Sequence, residues 1–339
     1  MTREIRRCTR CVLPDTFPAI SFDAEGVCSY CRKAPPAPEF ARIRAELRGR
    51  IARVFEEVRG RSEYDCIVAY SGGKDSTYVL SLMVREYKVR PLAVTVDNTF
   101  LSPQAVANCR TVSDALGVDH MFFRPSASFL GNMYRTSLTG DVHVPAAVTR
   151  ASAVCNSCIN VINTFMVKLA VRWDIAVVVG GYIGGQVPKD AAIMKLDLGV
   201  LSRTRQRSTE RYLRFFGEDG ARFFSLPESA TLSEVTVINP LLAVPYGEEM
   251  VLEKIAGLGW KMPPDTGRNS SNCRLNDLGI LQHERRYGFN PYVNELAELV
   301  RHGLMDREVA LRKVAEVPRP ADLRDVMAQL AISEADLKG

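Results

Sequence analysis

The stretch that most constrains this chain is YDCIVAY at residues 64–70, followed without a break by SGGKDS at 71–76 and then by the helical pattern STYVLSLMVREY. A short apolar run of buried-strand type that turns through two glycines into a helix is an anion cradle. Gly72 and Gly73 let backbone N–H groups approach phosphate oxygens, and the helix start supplies partial positive charge. Ser71 and Ser76 add hydroxyls, Lys74 neutralises developing negative charge, and Asp75 is a candidate magnesium ligand. The spacing is neither the G-x-x-x-x-G-K-[ST] of a kinase-type loop nor the G-x-G-x-x-G of dinucleotide enzymes.

More strands follow at the same pitch: PLAVTVD at 91–97, DHMFFRP at 119–125 and IAVVVGGY at 175–182. Between them SPQAVANCRTVSDALG carries a full set of helix signals, with Ser102 as N-cap, Pro103 at the first helical position and Gly117 beyond the end. Strands alternating with helices predict an α/β fold built on a doubly wound parallel sheet. The 339 residues leave room for more. We expect a zinc ribbon over 1–34, a proline-rich hinge and amphipathic helix over 35–62, a nucleotide domain over 63–260, and a cysteine-bearing loop with a helical C-terminal region over 261–339. Residues 183–235, rich in Arg, Gly and Phe, show poor periodicity and are expected to wrap the open side of the sheet. INPLLAVPYGEEMVLEKIAGLG reads as a strand entering a helix ended by Gly259, and Asp306 as an N-cap in the helical tail.

The nine cysteines are informative through their spacing. Cys8, Cys11, Cys28 and Cys31 form C-x2-C-x16-C-x2-C, two knuckles able to converge on one tetrahedral ion, with Gly26 permitting the intervening turn. Four thiolates in a reducing compartment suit Zn²⁺. Cys155 and Cys158 open an apolar-periodic helix, and Cys273 stands alone in the polar stretch TGRNSSNCRLNDLG. A pair plus a distant single can hold three irons of a [4Fe–4S] cluster, the favoured expectation; the alternatives are a redox pair with a bystander, or buried structural thiols. Cys66 and Cys109 fall in a strand and a helix and are expected in the core. His143, His283 and His302 lack partners at ligand spacing and are expected to be packing or surface residues.

Hydrophobic residues at 46% and charged residues at 24% exclude a disordered chain, a collagen-like fibre and a disulfide-dense secreted module. No run approaches the ~18 apolar residues that cross a bilayer, and MTREIRRCTRC lacks an apolar signal core, so no membrane partner and a cytoplasmic location are expected. The net charge of +5 permits anionic ligands without requiring nucleic acid. Arg203, Arg205, Arg207, Arg211 and Arg214 form a basic cluster that is either a solvated face or a contact for RNA or a phosphosugar.

The strand–SGGKDS–helix unit resembles the signature of the PP-loop ATP pyrophosphatases. The resemblance covers 64–126 closely and extends to about 260. It implies an adenine-nucleotide alpha hydrolase-like sheet and cleavage of ATP between the alpha and beta phosphates, with Mg²⁺. Members adenylate a carbonyl oxygen of an acceptor, and a nitrogen or sulfur nucleophile then displaces AMP. By similarity Ser71–Ser76 bind the pyrophosphate end of ATP, Val96, Asp97 and Asn98 lie at the adenosine, and Gly180 and Gly181 end a strand near the reaction centre.

Two branches of that family are represented. CTRCVLPDTFPAISFDAEGVCSYC and the tail YGFNPYVNELAELVRHGLMDREVAL resemble N-acetyl sugar amidotransferases, which take ammonia from a glutaminase partner. Cys155, Cys158 and Cys273, with NPLLAVPYGEE at 239–249, resemble the tRNA thiolation branch, in which such a trio holds a [4Fe–4S] cluster. Asn239 stands where thiolation enzymes often carry a basic residue. Because the trio has no task in amidation, the favoured expectation is adenylation followed by sulfur transfer, on a small-molecule or tRNA acceptor with a separate sulfur donor. Amidation of a sugar is the alternative. A non-catalytic nucleotide-binding adaptor is a third reading, disfavoured by the presence of both serines, Lys74 and Asp75. A homodimer is expected.

Overall fold

The computed structural model describes residues 5–337 apart from 188, 227–230, 268, 317 and 319–322, and the side chains of 37, 189 and 205–212 also lie outside the description. Its centre is a six-stranded sheet of β1 (Cys66–Ala69), β2 (Pro91–Val96), β3 (His120–Phe123), β4 (Val177–Val179), β5 (Ile193–Asp197) and β6 (Glu234–Ile238), ordered β3-β2-β1-β4-β6-β5. Neighbours run parallel except β5, which is antiparallel to β6. The inner strands are buried on both faces, which is why they are continuous apolar runs rather than alternating ones. In β1, Ile67 faces one core while Cys66 and Val68 face the other.

The helices divide between those faces. α1 (Ser29–Lys33) closes the N-terminal cysteine module and α2 (Ala37–Val58) leads to the sheet; α3 (Lys74–Arg85) and α4 (Pro103–Leu116) follow β1 and β2. α5 (Ala127–Thr139), α6 (Pro145–Val148) and α7 (Ala153–Trp173) connect β3 to β4, and α8 (Leu198–Phe224) connects β5 to β6. The chain then runs through α9 (Glu248–Ala256), α10 (Asn276–Tyr287), α11 (Val293–Arg301), α12 (Arg307–Ala315) and α13 (Arg324–Gln329). Residues of α2, α3, α4 and α9 share one core, and residues of α5, α7, α8 and α10 the other. α7 has the length and composition of a bilayer-spanning helix, but half of its most apolar window is buried inside the fold, where it packs on β1, β4 and β6.

The helix signals of α4 hold: Ser102 Oγ accepts from Gln104 N and Gly117 ends the helix in the left-handed region. Asp306 likewise caps α12. Residues 183–235 are more regular than their sequence suggests. β5 is an edge strand carrying Lys195 and Asp197, so no apolar run marks it, and Lys195 pairs with Glu234 of β6 at 2.9 Å. α8 is two helical segments joined at Gly217, with φ 71° and ψ −171°. The side chains of Arg205, Arg207 and Arg211 lie outside the described residues. The strand expected at INPLLAV lies slightly earlier, and Pro240–Ala243 form a 3-10 turn before α9, whose C-cap is Gly257 rather than Gly259.

The N-terminal module packs on the C-terminal helices through one apolar cluster that includes Leu13, Phe17, Phe289, Val293 and Leu296. Polar contacts reinforce it: Thr16 Oγ1 donates to Gly288 O at 2.9 Å, and Arg307 donates to the carbonyls of Cys8 and Cys11 at 2.9 and 3.0 Å. Because β1 leads to β2 and β3 on one side while β4 leads to β6 on the other, the order reverses between β1 and β4. Ligands of open α/β sheets sit outside the carboxyl ends of strands at such a reversal. Ser71 and Gly180 lie there.

Candidate active site

The phosphate loop begins just beyond β1, and α3 begins at Lys74 with Gly73 as N-cap. Gly72 has φ +71°, and a Cβ there would stand 2.1 Å from Ala105 O and 2.8 Å from Cys109 Sγ. Only glycine fits. The Gly72 carbonyl accepts from Trp260 Nε1 at 2.9 Å and Asn108 Nδ2 at 3.3 Å, which turns the loop's N–H groups outward. Ser71 Oγ and Ser76 Oγ lie 3.0 Å apart. Gly181 packs against the start of α3, where its Cβ would come 3.6 Å from Ser76 Cα, and Gly180 is required by Asn239 Oδ1, 2.5 Å from its would-be Cβ.

Lys74 Nζ donates to both oxygens of Asp75, at 3.0 and 2.9 Å, and to Tyr246 OH at 3.1 Å. Burial pulls the Lys74 ammonium down, but the charges of Asp75, Tyr246 and Glu248 outweigh it and hold its pKa above the usual range. A magnesium ion at Asp75 would share that carboxylate with Lys74. The loop opens on a cavity of about 450 Å³ whose walls include Glu248, Ser271, Tyr292, Glu295 and Lys313. Lys313 is paired with Glu248 at 2.7 Å, whereas Glu295 meets the neutral amide of Gln186 at 2.8 Å. Desolvation pushes the Glu295 carboxyl up to about 7. Tyr246, Glu248, Ser271, Glu295 and Lys313 come from segments whose sequence carries no loop signature, and only the fold brings them here.

The three central cysteines converge. Leu101 and Cys273 form an antiparallel bridge, which lays the Cys273 loop beside the end of β2. Asn98 Oδ1 accepts from Phe100 N at 2.9 Å, and Asn98 Nδ2 points the other way, 3.7 Å from Cys158 Sγ and 3.3 Å from Cys273 Sγ. Cys155 Sγ lies 3.7 Å from Asn276 Oδ1, which also accepts from Tyr292 OH at 2.6 Å. Thus Asn98 is aimed at sulfur, while Asp97 is held by Thr99 N at 2.8 Å and faces Arg124 at 3.6 Å.

The trio's surroundings weigh against free reactive thiols. Burial pushes the Cys155 thiol up to about 11 and the Cys158 thiol above its usual value; burial, with repulsion from Cys158 and Cys155, pushes Cys273 up to about 12. Such thiols are protonated at neutral pH and are poor free nucleophiles, whereas a metal centre draws off their protons. The Asn276 amide, whose Oδ1 touches Cys155 Sγ, also bonds the Asp277 carboxyl, so the polar wall beside Cys155 is held in place. The donor set therefore fits a metal–sulfur group.

The ribbon differs in scale. Among the described residues, Cys8, Cys11, Cys28 and Cys31 are the group of metal-ligating side chains whose ligand atoms all lie within 4.8 Å of one another. The Cys8–Cys31 and Cys11–Cys28 sulfurs are 3.8 and 3.7 Å apart. A tetrahedral ion with metal–sulfur bonds of about 2.3 Å has an edge of about 3.8 Å, so these sulfurs are spaced to hold a single ion. The wider trio suits ligands carried on separate irons. Cys66 and Cys109 are core residues. His302 is buried, paired with Glu298 at 2.9 Å and stacked on Phe40; His283 is buried as well, and His143 bonds Ser157 at 2.8 Å.

Comparison with known proteins finds partial likenesses. Residues 65–192 match the model of the queuosine biosynthesis protein QueC. Over 324 residues the chain is 25% identical to an uncharacterized protein of Methanocaldococcus jannaschii, covering 94% of this chain and 96% of that one. Two solved structures overlay loosely. One is the NMN synthetase from Francisella tularensis, at 12% identity and a TM-score of 0.36, over 90% of this chain and 98% of that one. The other is the U34-tRNA thiolase NcsA from Methanococcus maripaludis with its [4Fe–4S] cluster, at 15% identity and a TM-score of 0.33, over 92% and 88%. The matched segment, with its strand–SGGKDS–helix unit, makes residues 65–192 similar to the PP-loop ATP pyrophosphatases, an ATP-using enzyme family.

Proposed function

We propose that this protein adenylates a carbonyl oxygen of an acceptor with ATP and then replaces that oxygen by sulfur, with a [4Fe–4S] cluster on Cys155, Cys158 and Cys273. The observation that carries the reading is Asn98. It lies two residues beyond β2, and its amide reaches the sulfurs of both Cys158 and Cys273, at 3.7 and 3.3 Å.

The loop's residues supply the first step. An amide or lactam oxygen is a poor leaving group, and attack on the alpha phosphorus converts it into one that departs as AMP. Backbone N–H groups at the start of α3 and the hydroxyls of Ser71 and Ser76 orient the phosphates. The Lys74 ammonium, held charged by Asp75, takes up charge as pyrophosphate leaves, and bound Mg²⁺ adds to that stabilisation. The cavity beside the loop receives the acceptor. When bound, the cluster supplies an iron open to hydrosulfide next to the adenylate. Asn98 donates to the sulfurs of Cys158 and Cys273, and Asn276 Oδ1 holds Cys155. The ribbon's single-ion geometry suits zinc, and its packing on α11 and α12 makes it a brace.

Sugar amidation is the second reading. It is favoured by the union of the N-terminal module with the tail, the two segments resembling sugar amidotransferases, through Thr16–Gly288 and Arg307. The test is anaerobic turnover of ATP labelled at the alpha phosphate, with sulfide or ammonium as nucleophile and either bulk tRNA or an N-acetyl sugar nucleotide as acceptor. We expect AMP and pyrophosphate, dependent on sulfide. ADP as product overturns the adenylation chemistry, and turnover with ammonium alone transfers the assignment to amidation.

A further inference from the structure

Ser271 stands two residues before Cys273 and touches the phosphate loop. Its Oγ accepts from the backbone N–H of Lys74 at 3.0 Å, and it is 8% exposed. That N–H opens α3, so it is one of the few main-chain donors at the helix start without an intrahelical partner, and a phosphate oxygen in this loop needs it. A hydrogen bond to an ionised acceptor is roughly twice as strong as one to a neutral acceptor. Phosphate and Ser271 therefore compete for one proton, with phosphate favoured.

The link from Ser271 to the sulfur is short and stiff. Ser102 N donates to Asn272 O at 2.8 Å, Cys273 N donates to Ser270 Oγ at 3.1 Å, and Arg274 N donates to Phe100 O at 2.9 Å. Cys273 Sγ is in turn held by Asn98 Nδ2.

We propose that Ser271 is a positioning residue that couples the phosphate loop to Cys273: a phosphate oxygen in the loop takes the Lys74 N–H from the Ser271 hydroxyl, and the 270–274 segment passes that exchange to the cysteine trio. Sulfur delivery is thereby tied to a filled nucleotide site, so the reactive sulfur is presented only when an adenylate can form. The inference rests on the proposed nucleotide role of the loop.

The test uses the full-length protein expressed and purified without iron, so that Cys273 is a free thiol, with magnesium pyrophosphate as probe. Calorimetry gives its affinity, and mass spectrometry gives the rate at which iodoacetamide alkylates Cys273. In the unsubstituted protein, saturating pyrophosphate should change the Cys273 rate by about fivefold or more, the factor that one exchanged hydrogen bond of about 1 kcal/mol represents. Ser271→Ala removes the competitor and should tighten pyrophosphate binding by a similar factor while abolishing the response of Cys273; Ser271→Thr, which keeps the hydroxyl, should restore both. A purely structural serine gives the opposite sign, weaker binding in Ser271→Ala. That result overturns the coupling, as does a Cys273 rate indifferent to bound pyrophosphate in the unsubstituted protein, which needs no variant to fold. Failure of pyrophosphate to bind the unsubstituted protein at all overturns the nucleotide reading and the coupling together.

Discussion

Asn98 Nδ2 stands 3.3 Å from Cys273 Sγ, although 175 positions separate the two residues in sequence. The same nitrogen is 3.7 Å from Cys158 Sγ, so one side chain just beyond β2 bridges two of the three central cysteines. Hydrogen bonds to ligand sulfur raise the reduction potential of an iron–sulfur centre. Replacing Asn98 with Ala should therefore shift the potential of the reconstituted cluster to more negative values, as read by a redox titration followed by electron paramagnetic resonance. An unchanged potential would detach Asn98 from the cluster.

Gly72→Ala should cripple the phosphate loop. The added methyl meets the Ala105 carbonyl at 2.1 Å, and that atom is backbone and cannot rotate away. With the positive φ as a second cost, a loss of about 3 kcal/mol is expected. Urea denaturation checks it. A change under ~0.5 kcal/mol, the size of an ordinary surface substitution, would mean that the loop is free to shift.

Much of this arrangement is legible in the sequence because its signals are local. The glycines of the SGGKDS turn, Ser102 and Gly117 around α4, and the two C-x2-C knuckles each state their requirement within a few residues. Cys155 and Cys158 are visible as a pair on one helical turn. What is not legible comes from distant segments. Glu295 and Lys313 join the cavity beside Lys74 only after the C-terminal helices fold back, Tyr246 reaches Lys74 from the segment before α9, and no periodicity encodes either approach. β5 escapes notice because it is an edge strand with Lys195 and Asp197 on its exposed positions, and α8 because Gly217 interrupts it.

Glu295 gives a pH prediction. Its carboxyl ionises near 4.3 in an unfolded chain and near 7 in the fold, so between those values the folded state binds more protons. Stability contributed by the protonated form is complete below about 4.3 and is lost as pH rises through about 7. Glu295→Gln removes this loss and should raise stability at pH 8 relative to pH 5 by about 1–2 kcal/mol, a figure reduced from the full shift because the carboxyl faces a solvent-reached cavity. Thermal melts at the two pH values test it. Parallel pH dependence in the two proteins would contradict the shift.

The ribbon should behave as a brace. Cys8→Ser and Cys28→Ser should each lose the ion and lower solubility, because the apolar cluster shared with Phe289, Val293 and Leu296 depends on the folded module. Metal analysis by plasma mass spectrometry reads the first effect, and hydrogen exchange over residues 289–301 reads the second. Full metal retention in either variant would remove the four cysteines as a site.

The measurement that bears most directly on the proposed sulfur chemistry is anaerobic purification followed by iron, zinc and acid-labile sulfide analysis of the unsubstituted protein and of Cys155→Ala, Cys158→Ala and Cys273→Ala. The account predicts brown protein with about four irons and four sulfides per chain, together with one zinc, and loss of iron but not zinc in each variant. Colourless protein that carries zinc alone and takes up no iron on reconstitution would contradict it.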